Sequence, residues 1–372
     1  VLAIGYRFLM SIVSPSSAHK FVVSVCIGLG SENDEAHLVA DQLVGANLAG
    51  HDSHGIGMLP SYVAGAVSGH LKVNQTPNIT TDAGALVVFD GQSGFGQVNG
   101  YAAMNEGIKR ARQFGVAIVG LRNSYHIGRI GHWAEQCAQA KMASVHFVNV
   151  IGHTPLVAPH GGAESRFGTN PFCAAVPGRG DAPAALLDMA TSIIAGGKAR
   201  VAYNKGDQVP MGTVIDSAGQ LSNDPAPVMR LMNNAPDAGA LVAFGEHKGS
   251  GLAIMCELLS AALLGGETSQ PENARDSKII NNMLSLIIDP SATGEYSAFS
   301  DEVEKYLAYI AETKPRSDTK EVLLPGQPEV RARIVRAQGF DVDAVTVDQL
   351  SAAALAAGID EATTQTLLGI TT

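Results

Sequence analysis

Two imidazoles, a carboxylate and a hydroxyl lie side by side in the segment HDSHG at positions 51–55. Imidazole titrates near neutral pH, so His54 is a candidate general acid that could protonate a developing alkoxide. A structural interpretation is also open, in which Asp52 and Ser53 only end a helix and the histidines face solvent. From the spacing alone, that structural interpretation is the more common one.

Two further side chains, His126 and Asp188, could take part in chemistry. His126 follows a predicted strand and precedes Gly128 and Gly131, so its ring and the nearby backbone N–H groups could meet a nicotinamide or a phosphate. A lone loop histidine is nevertheless more often structural. Asp188 lies in the apolar segment LLDMATS, where an unpaired carboxylate would be costly. It therefore either orients an imidazole, as in catalytic triads, or satisfies the local backbone.

The same side chains offer a possible metal site. His51 and His54 could share a face, with Asp52, His126 and Asp188 as additional ligands. Their spacing matches no recognised metal motif, so we expect no metal. A metal-assisted hydrolase or lyase that uses His51, His54 and Asp188 stays open as the alternative function, and a ligand-binding protein without catalysis is a third.

The common glycine signatures of nucleotide binding are absent from the sequence. Gly28 and Gly30 are followed by Asn33 where G-x-G-x-x-G needs its third glycine, and the segment 94–99 departs at the same place. The chain also has no G-x-x-x-x-G-K-[ST] motif. If the protein binds a dinucleotide, its fold is not the common Rossmann fold.

The elements that would position these residues form an α/β pattern. Ser31 and Asp34 resemble a capping box, and the helix that follows ends at Gly50, just before HDSHG. Strands are predicted at 87–90, 116–121 and 144–150, with a glycine-rich turn over 91–100, a helix over 101–113, and a loop and helix after position 121. This order is typical of an α/β protein whose ligands bind at strand ends.

Three more helices are predicted in the C-terminal third. An apolar run from Lys248 to Gly265 and Gly266 indicates a buried helix. Ser300 could cap a second helix, and the tail from 347 to 368 has helical spacing again.

Composition narrows the class of protein. The net charge of −10 comes without a Lys/Arg-rich run, which argues against a nucleic-acid partner. The four cysteines are far apart and form no C-x-x-C pair, so we expect reduced thiols. The apolar start of the chain is interrupted by Arg7, and no run reaches the roughly 18 to 20 apolar residues that span a bilayer. The sequence thus favours a soluble, cytoplasmic protein with no membrane partner.

Several sequence blocks, in order, resemble the malate/L-lactate dehydrogenase family, which is distinct from the Rossmann lactate and malate dehydrogenases. The blocks are NLAGHDSHGIGMLPSYV, NSYHIGRIGHWAEQC, RFGTNPF, LLDMATS with GGKAR, GEHKGSGL and LLPG. The resemblance runs from about Phe21 to the C-terminal helix. It implies an α/β, non-Rossmann dehydrogenase fold of the malate/L-lactate (sulfolactate) type. It also implies a mainly helical substrate and dimerisation domain at 1–120 plus 310–372, and a nicotinamide-cofactor-binding α/β domain at 121–309.

The same resemblance assigns functional roles. It implies hydride transfer between NAD, with NADP as the alternative, and a 2-oxo or 2-hydroxy acid such as pyruvate, glyoxylate or an aryl-pyruvate, in a homodimer. Ser53, His54 and Asp188 would be catalytic, and His126 would be catalytic or part of the nicotinamide pocket. The implied cofactor-binding residues are His126, Gly128, Arg129, Ile130, Leu187, Asp188, Met189, Thr191, Lys248, Leu324, Pro325 and Gly326.

One position departs from the family pattern. Many relatives carry Arg three residues after the glycine of D-S-H-G, where it could bind the substrate carboxylate, but this chain has Met58. Arg129 is a candidate replacement because its forked guanidinium suits a carboxylate. Arg129 could instead meet the cofactor phosphates or solvent. Met58 is flexible and apolar, so we expect tolerance of larger or aromatic 2-oxo acids.

Overall fold

The computed structural model describes residues 10–273 and 278–370. The apolar start of the chain that Arg7 interrupts falls largely on residues 1–9, outside the described residues. The α-helices, in chain order, are α1 (Pro15–Gly28), α2 (Asn33–Leu48), α3 (Leu59–Val67), α4 (Gly96–Phe114), α5 (Ile130–Gln139), α6 (Gly196–Lys205), α7 (Ala226–Met232), α8 (His247–Ser260), α9 (Tyr296–Ala311), α10 (Gln327–Val335), α11 (Ala344–Ala356) and α12 (Glu361–Leu368). The strands are β1 (Met10–Val13), β2 (Asn78–Ala83), β3 (Leu86–Asp90), β4 (Val116–Ser124), β5 (Ala143–Ile151), β6 (Val157–Ala158), β7 (Phe172–Pro177), β8 (Pro183–Met189), β9 (Val214–Ile215), β10 (Leu221–Ser222), β11 (Ala240–Val242), β12 (Ile280–Ile288) and β13 (Phe340–Asp343).

The chain folds into two compact units whose boundaries differ from the predicted ones. One unit contains the chain up to Gln75 and from Gln327 onward, and the other is Thr76–Gly326. Residues 76–120 belong with the second unit because β2 pairs with β3 and β3 pairs with β4 in one sheet. The segment before Gly326 stays with that sheet as well, where Leu186 N donates to Pro325 O at 3.2 Å.

The first unit is mainly helical. Helices α1 and α2 pack together, α12 packs against α1, and α11 packs against α3. Its core contains the fully buried side chains of Phe21, Leu43 and Tyr62. Strands β1 and β13 add a short antiparallel pair.

The second unit is built on a seven-stranded mixed sheet with the order β2-β3-β4-β12-β5-β7-β8. In this sheet β3 and β4 run parallel, and the other neighbouring strands are antiparallel. Because side chains alternate along a strand, Val87 packs in the core under α4 and α5, whereas Val88 packs with Leu264 on the opposite face. A smaller sheet, β10-β9-β11-β6, has its own core with α6 and α7.

The local pattern predicted most of these elements. The strands at 87–90, 116–121 and 144–150 are confirmed as β3, β4 and β5. The helix before HDSHG is confirmed as α2, but its N-cap is Glu32 rather than Ser31, whose hydroxyl donates to Glu35 Oε1 at 2.7 Å. The predicted tail helix is divided into α11 and α12 because Gly358 adopts a φ of +83°.

Two helix predictions need correction. Ser300 lies inside α9, whose N-cap is Glu295. Helix α8 is not buried on all sides, since Ile254, Met255 and Leu258 are 43%, 44% and 48% exposed. Within the described residues, no helix is both long and apolar enough to cross a membrane.

Candidate active site

The HDSHG segment forms a tight turn at the C-terminal end of α2. Gly50 leaves the helix with a φ of +84°, and residues 52–54 form one 3-10 turn. A hydrogen bond of 3.1 Å joins Ser53 Oγ to His54 Nδ1. Ser53 is exposed and His54 is half-buried, so the pair is placed where a small molecule can reach it.

The side chain of Asn47, which is 3% exposed, holds this turn from within the unit. Its Oδ1 accepts from Ile56 N at 2.8 Å, and its Nδ2 donates to Asp52 Oδ1 at 2.7 Å. Gly55 is required beside it, because a Cβ at Gly55 would lie 2.2 Å from Asn47 Oδ1. The backbone on both sides of His54 is therefore tied to one buried amide.

His51 and Asp52 are bound by side chains from the C-terminal part of the same unit. Arg336 Nη1 and Nη2 donate to the two carboxylate oxygens of Asp52 at 2.6 and 2.9 Å, and Nη1 also donates to Asn47 O at 2.6 Å. His51 Nε2 lies 3.0 Å from Glu329 Oε1. Asp52 raises the pKa of the Arg336 guanidinium above its usual value. His51 and Asp52 thus anchor the turn. The structural interpretation, in which Asp52 and Ser53 only end the helix and the histidines face solvent, is corrected for Asp52 and His51.

Asp188 lies on β8, and its side chain is 8% exposed. Its Oδ2 accepts from Gly131 N at 2.9 Å, at the start of α5. A helix start favours negative charge, so this contact stabilises the carboxylate. The predicted orienting contact from Asp188 to His54 stays a prediction.

Arg129 is almost completely buried, at 2% exposure. Its Nη2 donates to Glu135 Oε2 at 2.5 Å, and its Nη1 lies 3.6 Å from Asp188 Oδ2. Burial works against the charge, yet Glu135 and Asp188 raise the pKa of Arg129 above its usual value. The interpretation that Arg129 faces solvent is wrong. Its role in binding the substrate carboxylate stays a prediction, and Glu135 and Asp188 already lie beside its guanidinium.

The loop that carries His126 is fixed through its backbone. Ile127 N donates to Asn281 Oδ1 at 3.1 Å, and Trp133 Nε1 donates to Ile127 O at 3.1 Å. Gly96 packs directly on the loop, since a Cβ there would lie 2.2 Å from His126 O. Gly128 then turns the chain with a φ of +69° into Arg129, the N-cap of α5.

The structure brings three of the predicted cofactor-binding segments together. Gly131 N bonds Asp188, which joins the loop at 128–130 to β8, and Leu186 N bonds Pro325 O, which joins β8 to the turn at 324–326. Gly326 adopts a φ of +91°, which favours glycine, and a Cβ added there would lie 3.2 Å from Leu186 Cβ. These contacts gather the three segments at β8, the edge strand of the large sheet, and their role in binding the cofactor stays a prediction.

The remaining predicted residues have different environments. Thr191 is fully buried, and its hydroxyl donates to Thr169 O and Asn170 O at 2.9 and 3.1 Å, which is a structural contact. The backbone carbonyl of Thr191 accepts from Phe244 N at 3.0 Å. Lys248, which is exposed, follows shortly after Phe244 in the sequence. Met58 is half-buried and caps α3. In the described ranges, no group of three His, Cys, Asp or Glu side chains could hold a metal.

Comparison with known proteins decides the family. A family model for malate/L-lactate dehydrogenase matches residues 13–351. The chain is 47% identical to hydroxycarboxylate dehydrogenase B of Escherichia coli O157:H7 over 364 residues, which cover 97% of each protein. The chain belongs to the malate/L-lactate dehydrogenase family.

Other members of the family agree in sequence and in fold. L-lactate dehydrogenase of Cupriavidus necator is 38% identical over 322 residues, 86% of this chain and 90% of that protein. The solved structure of sulfolactate dehydrogenase from Methanocaldococcus jannaschii superposes with a TM-score of 0.84 and 31% identity, covering 94% of this chain and 98% of the other. The predicted non-Rossmann dehydrogenase fold of the malate/L-lactate type is confirmed.

Membership in this family also decides the class of reaction. The chain is an oxidoreductase that interconverts 2-hydroxy acids and 2-oxo acids. The alternative of a metal-assisted hydrolase or lyase finds no support among these relatives.

Residue patterns missed the side chains that hold the site in place. Asn47 lies inside the block NLAGHDSHG, and its position at the end of α2 is a signal that could have been used. Arg336 is 284 residues from Asp52, and no local pattern links the two. Asn281 is hidden in the same way, because its partner Ile127 is 154 residues away, whereas Glu135 is only six residues from Arg129.

Proposed function

We propose that the chain reduces a small 2-oxo acid, such as pyruvate, glyoxylate or an aryl-pyruvate, with NADH, and that His54 supplies the proton. The observation that carries this proposal is the hydrogen bond of 3.1 Å between Ser53 and His54 on an anchored turn. A positioned imidazole of this kind typically contributes about 10²- to 10⁴-fold to rate.

Proton transfer in the proposal runs through His54 Nε2. Ser53 Oγ lies 3.1 Å from Nδ1, a contact that restrains the ring, and we assign the proton transfer to Nε2. His54 donates its proton to the carbonyl oxygen during reduction and accepts one from the hydroxyl during oxidation. Asp188 is the third catalytic residue of the proposal; its Oδ2 accepts from Gly131 N at 2.9 Å and lies 3.6 Å from Arg129 Nη1.

The proposed nucleotide site consists of His126, the loop at 128–130, residues 187–189, Thr191, Lys248 and the turn at 324–326. A bound nicotinamide supplies hydride chemistry there. The backbone bonds that join the loop at 128–130, β8 and the turn at 324–326 support this assignment. NAD is the nucleotide that we favour, with NADP as the alternative.

The proposed substrate pocket lies at Met58. A half-buried thioether at this position tolerates a large apolar side chain. Arg129, in the other unit, stays the candidate cation for the substrate carboxylate, and its guanidinium already lies beside Glu135 and Asp188.

The proposal places the enzyme in the cytoplasm as a homodimer. The cysteines are free and buried, and burial raises the pKa of the Cys137 thiol to about 12, so the thiol stays protonated.

The exposed apolar side chains of α8 would be covered by a second copy of the chain. Light scattering of the purified protein tests this assembly directly.

A substrate panel tests the proposed function. The purified protein is mixed with NADH or NADPH and with pyruvate, glyoxylate, oxaloacetate or hydroxyphenylpyruvate, and the loss of nucleotide absorbance is followed. We expect turnover with NADH to exceed turnover with NADPH. The absence of nucleotide oxidation with every acid would reject the proposal, and faster turnover with NADPH would reject its choice of nucleotide.

A further inference from the structure

Two side chains from a distant part of the sequence contact the turn that carries Ser53 and His54. We define the C-terminal clamp as Glu329 and Arg336, which lie on α10 and directly after it. Arg336 makes two bonds to Asp52 and one to Asn47 O, and Glu329 binds His51. Helix α10 also packs on the end of α2, where a Cβ at Gly50 would lie 3.2 Å from Ala332 Cβ.

The turn itself has few bonds of its own. His54 N donates to His51 O at 2.9 Å, and Gly55 N donates to Asp52 O at 3.1 Å. A single 3-10 turn next to a glycine with positive φ has little intrinsic rigidity. Its geometry therefore depends on the side chains bound to His51 and Asp52.

The clamp contributes little to folding energy. The side chains of Arg336 and Asp52 are 26% and 51% exposed, and exposed ion pairs typically stabilise a protein only slightly. The bidentate geometry, in contrast, fixes direction as well as distance. An ion pair of this kind acts on the position of the turn more than on the stability of the unit.

From these contacts we propose that Arg336 is a positioning residue of the enzyme: through Asp52 and Asn47 O it sets the place of the His54 ring for proton transfer. The proposal rests on the proposed function, in which His54 is the proton donor. Arg336 touches neither substrate nor cofactor in this account. A displacement of about 1 Å in a catalytic group can cost roughly 100-fold in rate, so the loss of the clamp is expected to be visible in kcat.

The test compares Arg336→Met with a matched pair elsewhere in the chain. Arg110 Nη1 and Nη2 bind the two carboxylate oxygens of Asp82 at 2.7 and 2.9 Å, and Nη1 also binds Gly84 O. Arg110→Met therefore removes the same kind of bidentate pair far from the turn in sequence, together with a further ion pair to Glu106. We measure kcat, KM for the 2-oxo acid, NADH affinity, Tm and the solvent deuterium isotope effect on kcat. Arg336→Met should lower kcat about tenfold or more and raise the isotope effect, with NADH affinity kept. Arg110→Met should change Tm only.

Two further variants keep the proposal falsifiable. Asp52→Asn removes the charge from the other partner of the ion pair and should lower kcat. The double variant Arg336→Met/Asp52→Asn should show no further loss of kcat, because the two residues act as one unit. Arg336→Lys should keep more of the wild-type kcat than Arg336→Met does. The lysine ammonium keeps the positive charge but replaces the two-pronged guanidinium only partly. Wild-type kcat and isotope effect in both Arg336→Met and Asp52→Asn would overturn the positioning role.

The failure of this inference can be separated from failure of the proposed function. If the wild type oxidises NADH with a 2-oxo acid and His54→Ala does not, but Arg336→Met matches the wild type, only the positioning role is wrong. If the wild type oxidises no NADH with any acid, the proposed function fails and the positioning role fails with it.

Discussion

The Ser53 hydroxyl gives His54 a fixed orientation that the sequence only suggested. Spacing placed both side chains in one segment, but it could not decide between a solvated helix end and a working pair. The hydrogen bond at Nδ1 and the ion pair of Asp52 with Arg336 show a bonded turn rather than a solvated helix end, and the catalytic role of Ser53 and His54 stays a proposal. At this scale the residue types were predictable, and their partners were not.

Met58 is the residue on which substrate preference is expected to depend. Replacing it by Arg introduces the cation that the family resemblance leads us to expect at this position and removes a flexible apolar side chain. We expect Met58→Arg to lower the preference for an aryl-pyruvate over pyruvate by about tenfold or more in kcat/KM, because charge and bulk both oppose the ring. The comparison is made on purified variants with the two acids under the same conditions.

Met58→Leu is the matched control for that experiment. Its side chain is apolar and of similar volume, so relative kcat/KM for the two acids should stay within a few-fold of wild type. Unchanged selectivity in Met58→Arg would show that this position does not face the substrate side chain.

The turn at 52–55 depends on a close approach between Gly55 and Asn47. A Cβ at Gly55 would come within 2.2 Å of an amide that is held by Ile56 N and Asp52. We expect Gly55→Ala to cost about 1–3 kcal/mol of unfolding free energy and to lower kcat, since the amide must move. Denaturant unfolding and steady-state kinetics measure the two effects.

Gly57→Ala serves as the control two residues away. Its added Cβ would lie 3.7 Å from the nearest atom, a side-chain carbon of Thr346, which is ordinary contact. Stability and kcat should therefore stay close to wild type. Equal losses in both variants would mean that the Asn47 contact is not what requires Gly55.

Element prediction succeeded where the pattern was local. Alternating apolar residues marked β3, β4 and β5, and helical spacing marked α2. The central strand β12 was not predicted, although it pairs with both β4 and β5, because its apolar run carries no alternation. The caps of α2 and α9 were misplaced because several polar residues near each start could serve, and packing selected Glu32 and Glu295.

The stability of the Thr76–Gly326 unit should depend on one buried histidine. His146 is fully buried between Ser144 and Ser285, at 2.9 and 2.8 Å, and burial lowers its pKa to about 3. Its pKa in an unfolded chain is about 6.5. Between pH 6.5 and pH 3, His146 binds a proton in the unfolded chain but not in the folded one. The free energy of unfolding that His146 supports above about pH 6.5 is therefore lost as the pH falls.

The expected size of this effect follows from linkage. From pH 7.5 to 5, His146 should remove about 2 kcal/mol of unfolding free energy. His146→Gln should remove that part of the pH dependence, whereas His153→Gln, which replaces an exposed histidine, is the control. Denaturant unfolding at the two pH values measures it, and an identical pH dependence in wild type and His146→Gln would contradict the account.

The whole-molecule organisation followed from family resemblance more than from pattern. Sequence blocks predicted the fold type, but the boundaries shifted to Gln75 and Gly326 because β2 and β3 join the large sheet. The pairing of residues 284 positions apart, as in Asp52 and Arg336, depends on how the termini fold together. Such contacts follow from tertiary packing, which a single sequence does not specify.

Single-turnover hydride transfer in His54→Ala tests the central claim most directly. The variant is loaded with NADH, which is followed by fluorescence, and is mixed with saturating pyruvate; His37→Ala, an exposed site on α2, is the control. We predict that His54→Ala binds NADH as the wild type does but oxidises it at least about 100-fold more slowly, because the alkoxide loses its acid. A rate in His54→Ala close to that of the wild type and of His37→Ala would contradict the role of His54 as the proton donor.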